Sequence, residues 1–118
     1  MNNIVKQLIN TFNLIQDEDF SNCYLPNSLC YPHSGYMLNV DDINSTISLA
    51  EDISYSFDKD NNNPVIMFCG NTFHNLDDNS YNNIVNIIND LLDKHNNVIK
   101  QIKNHLINNQ LNSIKTDF

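Results

Sequence analysis

Two segments of the chain place a cysteine and a histidine a few residues apart. Two residues separate Cys30 from His33, and four separate Cys69 from His74. Thiolate sulfur and neutral imidazole nitrogen are the ligands of tetrahedral zinc sites, so the two pairs together could hold zinc. The spacing matches no common zinc module, and buried cysteines beside surface histidines explain it more simply. We therefore expect no metal and no cofactor, with a Cys/His metal centre as an alternative.

Cys69 is also the candidate nucleophile of a cysteine-dependent enzyme. It follows an apolar run and precedes Gly70, a position that suits a reactive thiol with His33 or His74 as its base. The chain has no Arg, and its nearest lysine in sequence is Lys59, so nothing visible stabilises a thiolate here. A structural cysteine is the better interpretation. No catalytic residue is assigned, and a protein that is not an enzyme is the favoured class.

Aromatic, imidazole and amide side chains concentrate in two stretches with turn-forming residues. One is residues 23–36, with Pro26, Pro32 and Gly35, and the other is residues 69–75. Such stretches are typical of loops, and loops this rich in apolar residues either pack down or line a pocket. If the two loops converge, they form a small-ligand site from Tyr24, Tyr31, His33, Tyr36, Asn71 and His74.

Acidic residues form short clusters in a chain that has few basic ones. Fourteen Asp and Glu outnumber six Lys, which gives a formal net charge of −8 at pH 7. Such a charge repels nucleic acids and anionic membranes, and it speeds association with a basic protein. The residues expected to contact such a partner lie in three clusters: Asp17, Glu18, Asp19, Asp41, Asp42, Asp77 and Asp78. Solubility alone is the simpler explanation of the charge.

Composition favours a single domain in a reducing compartment. The 118 residues, of which 41% are hydrophobic, suffice for one modest core, so residues 1–118 are expected to form one domain. No apolar run is long enough to span a membrane, and the first residues lack the layout of a signal peptide. Three cysteines without disulfide spacing favour a cytoplasmic location. The 24 asparagines suggest an AT-rich genome, such as that of a clostridial-type bacterium, its phage, a large DNA virus or a protist.

Apolar periodicity predicts an N-terminal helix and a hairpin. Residues 2–15 have the spacing of a short amphipathic helix. Residues 53–57 alternate between apolar and polar, and residues 64–69 are apolar throughout, with Pro64 at the first position, where it is tolerated. An antiparallel hairpin over about 52–69 follows from these two patterns.

The remaining stretches are shorter and less regular. Residues 36–40 fit a short strand, and residues 41–50 fit either a capped helix or a strand. Residues 20–35 and 70–79 are expected to be irregular. The order of elements predicts an α+β fold with a small antiparallel sheet covered by helices, and an all-α fold is the alternative.

The C-terminal third, residues 80–113, has the strongest pattern in the chain. Its apolar residues recur at helical spacing for about eight turns. An unbroken helix would be about 50 Å long, whereas a domain of this size is about 35 Å across. Either the helix breaks near Asn96-Asn97, or its apolar overhang packs on a second copy of the chain, which we favour. The expected interface consists of Ile88, Leu92, His95, Ile99, Ile102 and Leu106.

These patterns lead to one main hypothesis and two alternatives. The chain is predicted to be a non-catalytic, acidic interaction protein of the inhibitor or adaptor type. It would bind a basic protein and form a homo-oligomer, a dimer or larger, through its C-terminal helix. The alternatives are a protein that binds or sequesters a small ligand, and a Cys/His metal or cysteine-dependent enzyme.

Overall fold

A computed structural model of the chain describes residues 3–58 and 63–116, with side chains up to residue 108. Its architecture confirms the predicted α+β class, and the all-α alternative is wrong. The elements in chain order are α1 (Asn3–Phe12), β1 (Ile15–Gln16), β2 (Cys23–Leu25), β3 (His33–Ser34), β4 (Leu38–Asp41), β5 (Thr46–Leu49), β6 (Asp52–Phe57), β7 (Pro64–Cys69), β8 (Thr72–Asn75) and α2 (Asp78–Thr116).

The N-terminal helix α1 packs one face on the core and ends at a left-handed residue. Asn13 has a φ of 52°, a conformation that asparagine tolerates at the end of a helix. The N–H of Leu14 donates to the carbonyl oxygen of Ile9 at 3.0 Å and so closes the last turn. The helix therefore ends earlier than the predicted residue 15, because Ile15 already belongs to β1.

The larger sheet has five strands in the order β1-β2-β4-β5-β8, and every neighbouring pair is antiparallel. It resolves the ambiguity over residues 41–50, which contain β5 and no helix. Asp41 accepts a hydrogen bond from the N–H of Asn44 at 3.1 Å, and Ser45 has a φ of 51°. Asp41 therefore stabilises the turn between β4 and β5. It does not cap a helix, which was the other expectation for this segment.

The smaller sheet has three strands in the order β3-β7-β6. Strands β6 and β7 pair antiparallel from Asp52 with Cys69 to Phe57 with Pro64, which confirms the predicted hairpin. Strand β3 pairs parallel with β7 on its other side.

Short strands lie inside both stretches that were predicted to be irregular. Strands β2 and β3 fall within residues 20–35, and β8 falls within residues 70–79, so this prediction was wrong. These strands have between two and four residues, which is too short for alternation to be recognisable in the sequence. The predicted strand at residues 36–40 exists but is shifted to Leu38–Asp41.

The long helix α2 begins at a side-chain cap and runs without interruption. The carboxylate of Asp77 accepts a hydrogen bond from the N–H of Ser80 at 2.8 Å. The helix continues through Asn96-Asn97 and has 39 residues, about 58 Å at its usual rise, so it sets the longest of the overall dimensions of 61 × 25 × 22 Å. It packs mainly on β6 and also touches β8 and α1. Neither of the described helices has the combination of length and apolar character needed to cross a membrane.

Among the described residues, one apolar core joins the two sheets to the helices. Leu38 and Ile47 enter it from the five-stranded sheet, and Ile66 enters from the three-stranded sheet. Ile84 and Ile88 enter from α2, and all five side chains are fully buried.

Candidate functional site

The three acidic clusters lie at the same end of the five-stranded sheet. Residues 17–19 follow β1, residues 41–42 lie where β4 ends, and residues 77–78 come shortly after β8. Because neighbouring strands are antiparallel, each strand ends beside the start of the next one along the sheet. We call this group of carboxylates the acidic end: Asp17, Glu18, Asp19, Asp41, Asp42, Asp77 and Asp78.

Strand register places these clusters side by side. Asp41 is paired with Thr46, and Thr46 is paired in turn with Asn75, shortly before the third cluster. On the other side, the N–H of Asp17 donates to the carbonyl oxygen of Cys23 at 2.8 Å, and β2 pairs with β4. Neighbouring strands are about 4.8 Å apart, so the acidic end extends for about 20 Å from β1 to β8.

Some of these carboxylates also hold the local backbone. Asp41 accepts hydrogen bonds from the side-chain amide of Asn44 at 2.8 Å and from its N–H at 3.1 Å, and these bonds lower the pKa of the Asp41 carboxyl. Asp77 is the cap of α2. Asp17 is buried. The others are exposed to solvent: Glu18, Asp19, Asp42 and Asp78.

Two large apolar side chains project from the turns of the acidic end. Phe20, in the turn between β1 and β2, is 62% exposed, and Ile43, in the turn between β4 and β5, is 94% exposed. Neither contributes much to the core. Apolar groups surrounded by charged ones on one surface are typical of a protein contact site, with an apolar centre and a polar rim.

An aspartate and a histidine from the two different sheets meet beside the first cluster. Nε2 of His33 lies 3.0 Å from Oδ2 of Asp17, and their side chains are 25% and 6% exposed. The other oxygen of Asp17 accepts the N–H of Asp19 at 2.8 Å. The hydrogen bond from Asp19, and next the bond from His33, lower the pKa of the Asp17 carboxyl. Asp17 is therefore a buried carboxylate that its neighbours keep ionised.

Two cavities adjoin this pair and share Asp17, Asp19 and His33. Each has a volume of about 370 Å³. Besides polar and acidic residues, their walls include apolar and aromatic side chains: Leu25, Leu29, Tyr31, Phe20 and Tyr36. We call the two cavities together the Asp17–His33 cleft.

Gly35 allows the segment after β3 to approach β7 closely. It has a φ of 82°, and a Cβ atom there would lie 3.0 Å from the carbonyl oxygen of Phe68. The ring of His33 meets the ring of Phe68 edge-on, with 6.4 Å between centroids. The glycine thus helps to hold His33 against β7, with its ring turned to Asp17.

The structure divides the predicted small-ligand site. Tyr31 and His33 line one cavity of the Asp17–His33 cleft, and His33 and Tyr36 line the other. Tyr24 is 5% exposed and belongs to the core. Burial, and next the charge of Asp42, raise the pKa of the Tyr24 phenol.

The other two residues of that predicted site lie along the opposite edge of the larger sheet. His74 belongs to β8, the last strand, and its Nε2 lies 3.1 Å from the hydroxyl of Thr72. Asn71 immediately precedes β8 and accepts a hydrogen bond from the hydroxyl of Ser48 at 3.2 Å. Neither residue lines the cleft.

The cysteines and histidines with short spacing are likewise engaged separately. Cys30 is exposed, and the sulfur of Cys69 lies 3.7 Å from the hydroxyl of Ser54. His33 is bound to Asp17. Across residues 3–58 and 63–116, no three His, Cys, Asp or Glu side chains lie close enough together to hold a metal ion.

The residues predicted as an oligomer interface lie on or beside the core face of α2. Three of them are fully buried in the chain's own core, and three are half-buried against it: Ile88, His95 and Ile102, then Leu92, Ile99 and Leu106. The next residue, Ile107, is 53% exposed. A second copy could reach the half-buried residues and Ile107 without opening the core, so self-association stays a prediction with a smaller set of candidate contacts.

His95 is a buried polar side chain with an unsatisfied nitrogen. It is 1% exposed, and its Nε2 has no hydrogen-bond partner in the described part of the chain. Burial lowers the pKa of the His95 imidazole. The side chain is therefore held in the neutral form, and it fills space in the core as an apolar residue would.

Sequence reasoning did not find the pairing of Asp17 with His33. The two residues are 16 positions apart, and their contact depends on the parallel pairing of β3 with β7. The sequence shows Asp17 only as part of an acidic cluster and His33 only as part of a loop rich in aromatic residues, and neither pattern points to the other residue.

Comparisons with protein-family models, with curated proteins and with solved structures find no match to this chain.

Proposed function

We propose that the chain is a non-catalytic interaction protein that binds a basic surface on another protein through its acidic end. One observation carries the proposal: three carboxylate clusters that are far apart in sequence meet along about 20 Å of one sheet end. A protein that covers a basic surface acts as an inhibitor if that surface is functional, and as an adaptor if it also holds a second component.

The distribution of charge supports this proposal. The chain has no Lys or Arg between Lys6 and Lys59, and five of the seven carboxylates of the acidic end lie in that segment. The negative charge is therefore concentrated where few cations neutralise it locally. Such a surface accelerates encounter with a basic partner and weakens as salt rises.

The exposed apolar side chains at the turns of the acidic end can supply affinity that exposed charges alone do not. Exposed ion pairs contribute little to affinity, whereas buried aromatic and aliphatic anchors dominate it. Phe20 and Ile43 lie among the carboxylates and are available as anchors. We expect the carboxylates to set the association rate and the two apolar side chains to set the dissociation rate.

A capture experiment followed by kinetics tests the proposal. The purified chain is used to capture partners from its native host, and the captured protein is then purified. Its association rate is measured at salt concentrations from about 0.05 to about 0.5 M. We expect the rate to fall markedly over this range. A rate that is independent of salt would contradict the proposal.

A pair of charge-matched variants localises the effect. The double variant Glu18→Gln/Asp42→Asn neutralises two exposed carboxylates of the acidic end, and Glu51→Gln/Asp93→Asn neutralises two exposed carboxylates elsewhere. We expect the first to slow association several-fold more than the second. Equal slowing by both variants would show that only net charge matters.

Self-association through α2 is the second part of the proposal. Support comes from Leu106, which is half-buried, and from Ile107, which is 53% exposed at the next position. Sedimentation velocity over a range of protein concentrations tests it, with Ile107→Asn as the variant. A wild-type chain that is monomeric at all concentrations would contradict self-association and leave the role of the acidic end unaffected.

A further inference from the structure

We propose that the Asp17–His33 cleft binds an arginine side chain of the basic partner. This inference deepens the proposed function and rests on it, because it names the group that the acidic end recognises. It is carried by the cavity and by the side chains that line it, since surface carboxylates by themselves would attract any cation.

The acidic groups of the cleft are three carboxylates, and its neutral polar side chains Gln16, Tyr31 and Tyr36 can both donate and accept hydrogen bonds. The carboxylates of Asp17, Glu18 and Asp19 line it, and none of the described residues around it is a lysine. Nε2 of His33 lies 3.0 Å from Oδ2 of Asp17 and so holds this carboxylate in place beside the cavities. A ligand with several N–H donors and a positive charge is complementary to this set.

The central carboxylate is held inside the cleft, ready to bind. The side chain of Asp17 is 6% exposed, yet its bonds to Asp19 and His33 keep it ionised. Each carboxylate oxygen can accept more than one hydrogen bond, so Asp17 retains acceptor capacity toward a ligand. The fold has already removed most water from this charge, so a ligand cation meets a largely desolvated partner.

The walls of the cleft match the rest of an arginine side chain. Leu25, Leu29 and Tyr31 line one cavity, where they can contact its three methylene groups, and Phe20 and Tyr36 line the other, where aromatic rings can contact its head group. A guanidinium group is planar, stacks on aromatic rings and donates two parallel hydrogen bonds to a carboxylate, which an ammonium group does not do. Arginine is therefore preferred to lysine.

A titration followed by NMR tests this inference on the full chain. The probe is N-acetyl-arginine amide, in which the guanidinium is the only charge, and the matched control is N-acetyl-citrulline amide, which has almost the same shape and no charge. We expect the arginine probe to shift the amide signals of residues 15–20 and 29–36, with a dissociation constant of about 1 mM for so small a ligand. The citrulline probe should shift them at most weakly.

Two single variants identify the cleft as the site. Glu18→Gln removes a carboxylate that lines the cleft, and Asp42→Asn removes an exposed carboxylate of the acidic end outside it. Glu18→Gln should weaken binding of the arginine probe by about threefold or more, and Asp42→Asn by clearly less. As a control for folding, the core amide signals of each variant are compared with those of the wild type.

Several results would overturn the inference. Two concern the arginine and citrulline probes: equal shifts from both, or arginine shifts centred on residues 41–46 or 76–80. The other two are equal weakening by the two variants, and equal binding of Nα-acetyl-lysine amide, which carries a free side-chain ammonium group. Failure here, with a captured partner that still depends on the acidic end, would refute the arginine cleft and leave the proposed function standing. Specific binding of the arginine probe without any such partner would support the arginine cleft and refute the proposed function.

Discussion

Asp17 and His95 are both buried titratable side chains, but their surroundings differ in kind. The turn around Asp17 supplies hydrogen bonds from Asp19 and His33. The core around His95 leaves its Nε2 without a partner in the described residues. Both groups have a lowered pKa, because partners favour the ionised carboxylate at Asp17, whereas burial disfavours the protonated imidazole at His95. The acidic end is thus built to hold charge, and the core face of α2 is built to exclude it.

The largest expected effect comes from forcing a charge into the core. His95→Asp places a carboxyl group in the core without a hydrogen-bond partner at the position of His95 Nε2. It also leaves a cavity, since aspartate is smaller than histidine. We expect the free energy of unfolding to fall by about 3 kcal/mol or more, measured by urea denaturation at pH 7.5. The control is His95→Leu, which replaces the unsatisfied nitrogen by an apolar group and should change stability by less than about 1 kcal/mol. Equal losses in the two variants would show that shape, and not charge, governs this position.

The contributions of His95 and Asp17 to stability should also differ in their dependence on pH. Unfolded His95 binds a proton near 6.5, and folded His95 does so only at lower pH, so the unfolded chain binds more protons in that interval. Stability should therefore be full above pH 6.5 and fall below it, by at most about 1.4 kcal/mol per pH unit, until the folded pKa is passed. The stabilisation from Asp17 is complete above its unfolded pKa of 3.8 and is lost as the pH falls through its lower folded value.

Denaturation of the wild type and of His95→Leu across both windows distinguishes these contributions. The free energy of unfolding of the wild type, relative to that of His95→Leu, should fall as the pH falls below 6.5. It should become constant once the pH is below the pKa of folded His95. The fall in stability at the lowest pH should remain in both proteins, because Asp17 is present in each. A difference that stays constant from pH 8 to pH 5 would mean that folded His95 titrates normally.

The elements that the sequence predicted well are those with long, regular patterns. The apolar repeat of α2 persists for many turns, and the hairpin at 52–69 has one alternating strand and one strand that is apolar throughout. The repeat of α2 also placed His95 on the buried face. The short strands β2, β3 and β8 could not be predicted in this way, because their stability comes from pairing with neighbours and not from their own pattern.

The candidate site combines predicted residues in an arrangement that was not predictable. All seven carboxylates were recognised in the sequence as members of three clusters. Their convergence depends on the strand order, in which β8 lies beside β5 despite the hairpin between them in sequence. The Asp17–His33 contact depends in addition on how the two sheets meet. Local patterns specify elements, whereas such long-range placement requires the pairing of whole strands.

A smaller effect separates the acids that bind backbone from those that do not. Asp77→Ala removes the side-chain cap of α2, so the N–H of Ser80 loses its carboxylate acceptor and keeps only the longer bond to the carbonyl oxygen of residue 77. We expect the free energy of unfolding to fall by about 1 kcal/mol. Asp77→Ser retains a capping oxygen and should lose clearly less. If both variants lose the same amount, the charge of Asp77 near the helix terminus, and not its hydrogen bond, is responsible.

The smallest effect on stability is expected at Asp42, which lies in the same acidic end but is exposed. Asp42→Asn should change the free energy of unfolding by less than about 0.5 kcal/mol. It should nevertheless lower the pKa of Tyr24, because burial and next the charge of Asp42 raise that pKa above 10.0. Burial remains in the variant, so the pKa should stay above 10.0.

Carbon-13 NMR of the Tyr24 ring against pH measures this change directly, with Asp78→Asn as the control of equal charge at the far side of the acidic end. A shift in Asp42→Asn alone would show that the field of an exposed carboxylate reaches a core side chain at short range. An equal shift in the control would mean that Tyr24 senses the summed charge of the acidic end. In that case the whole end acts as one electrostatic unit, and neutralising any of its exposed carboxylates should slow partner association to a similar degree.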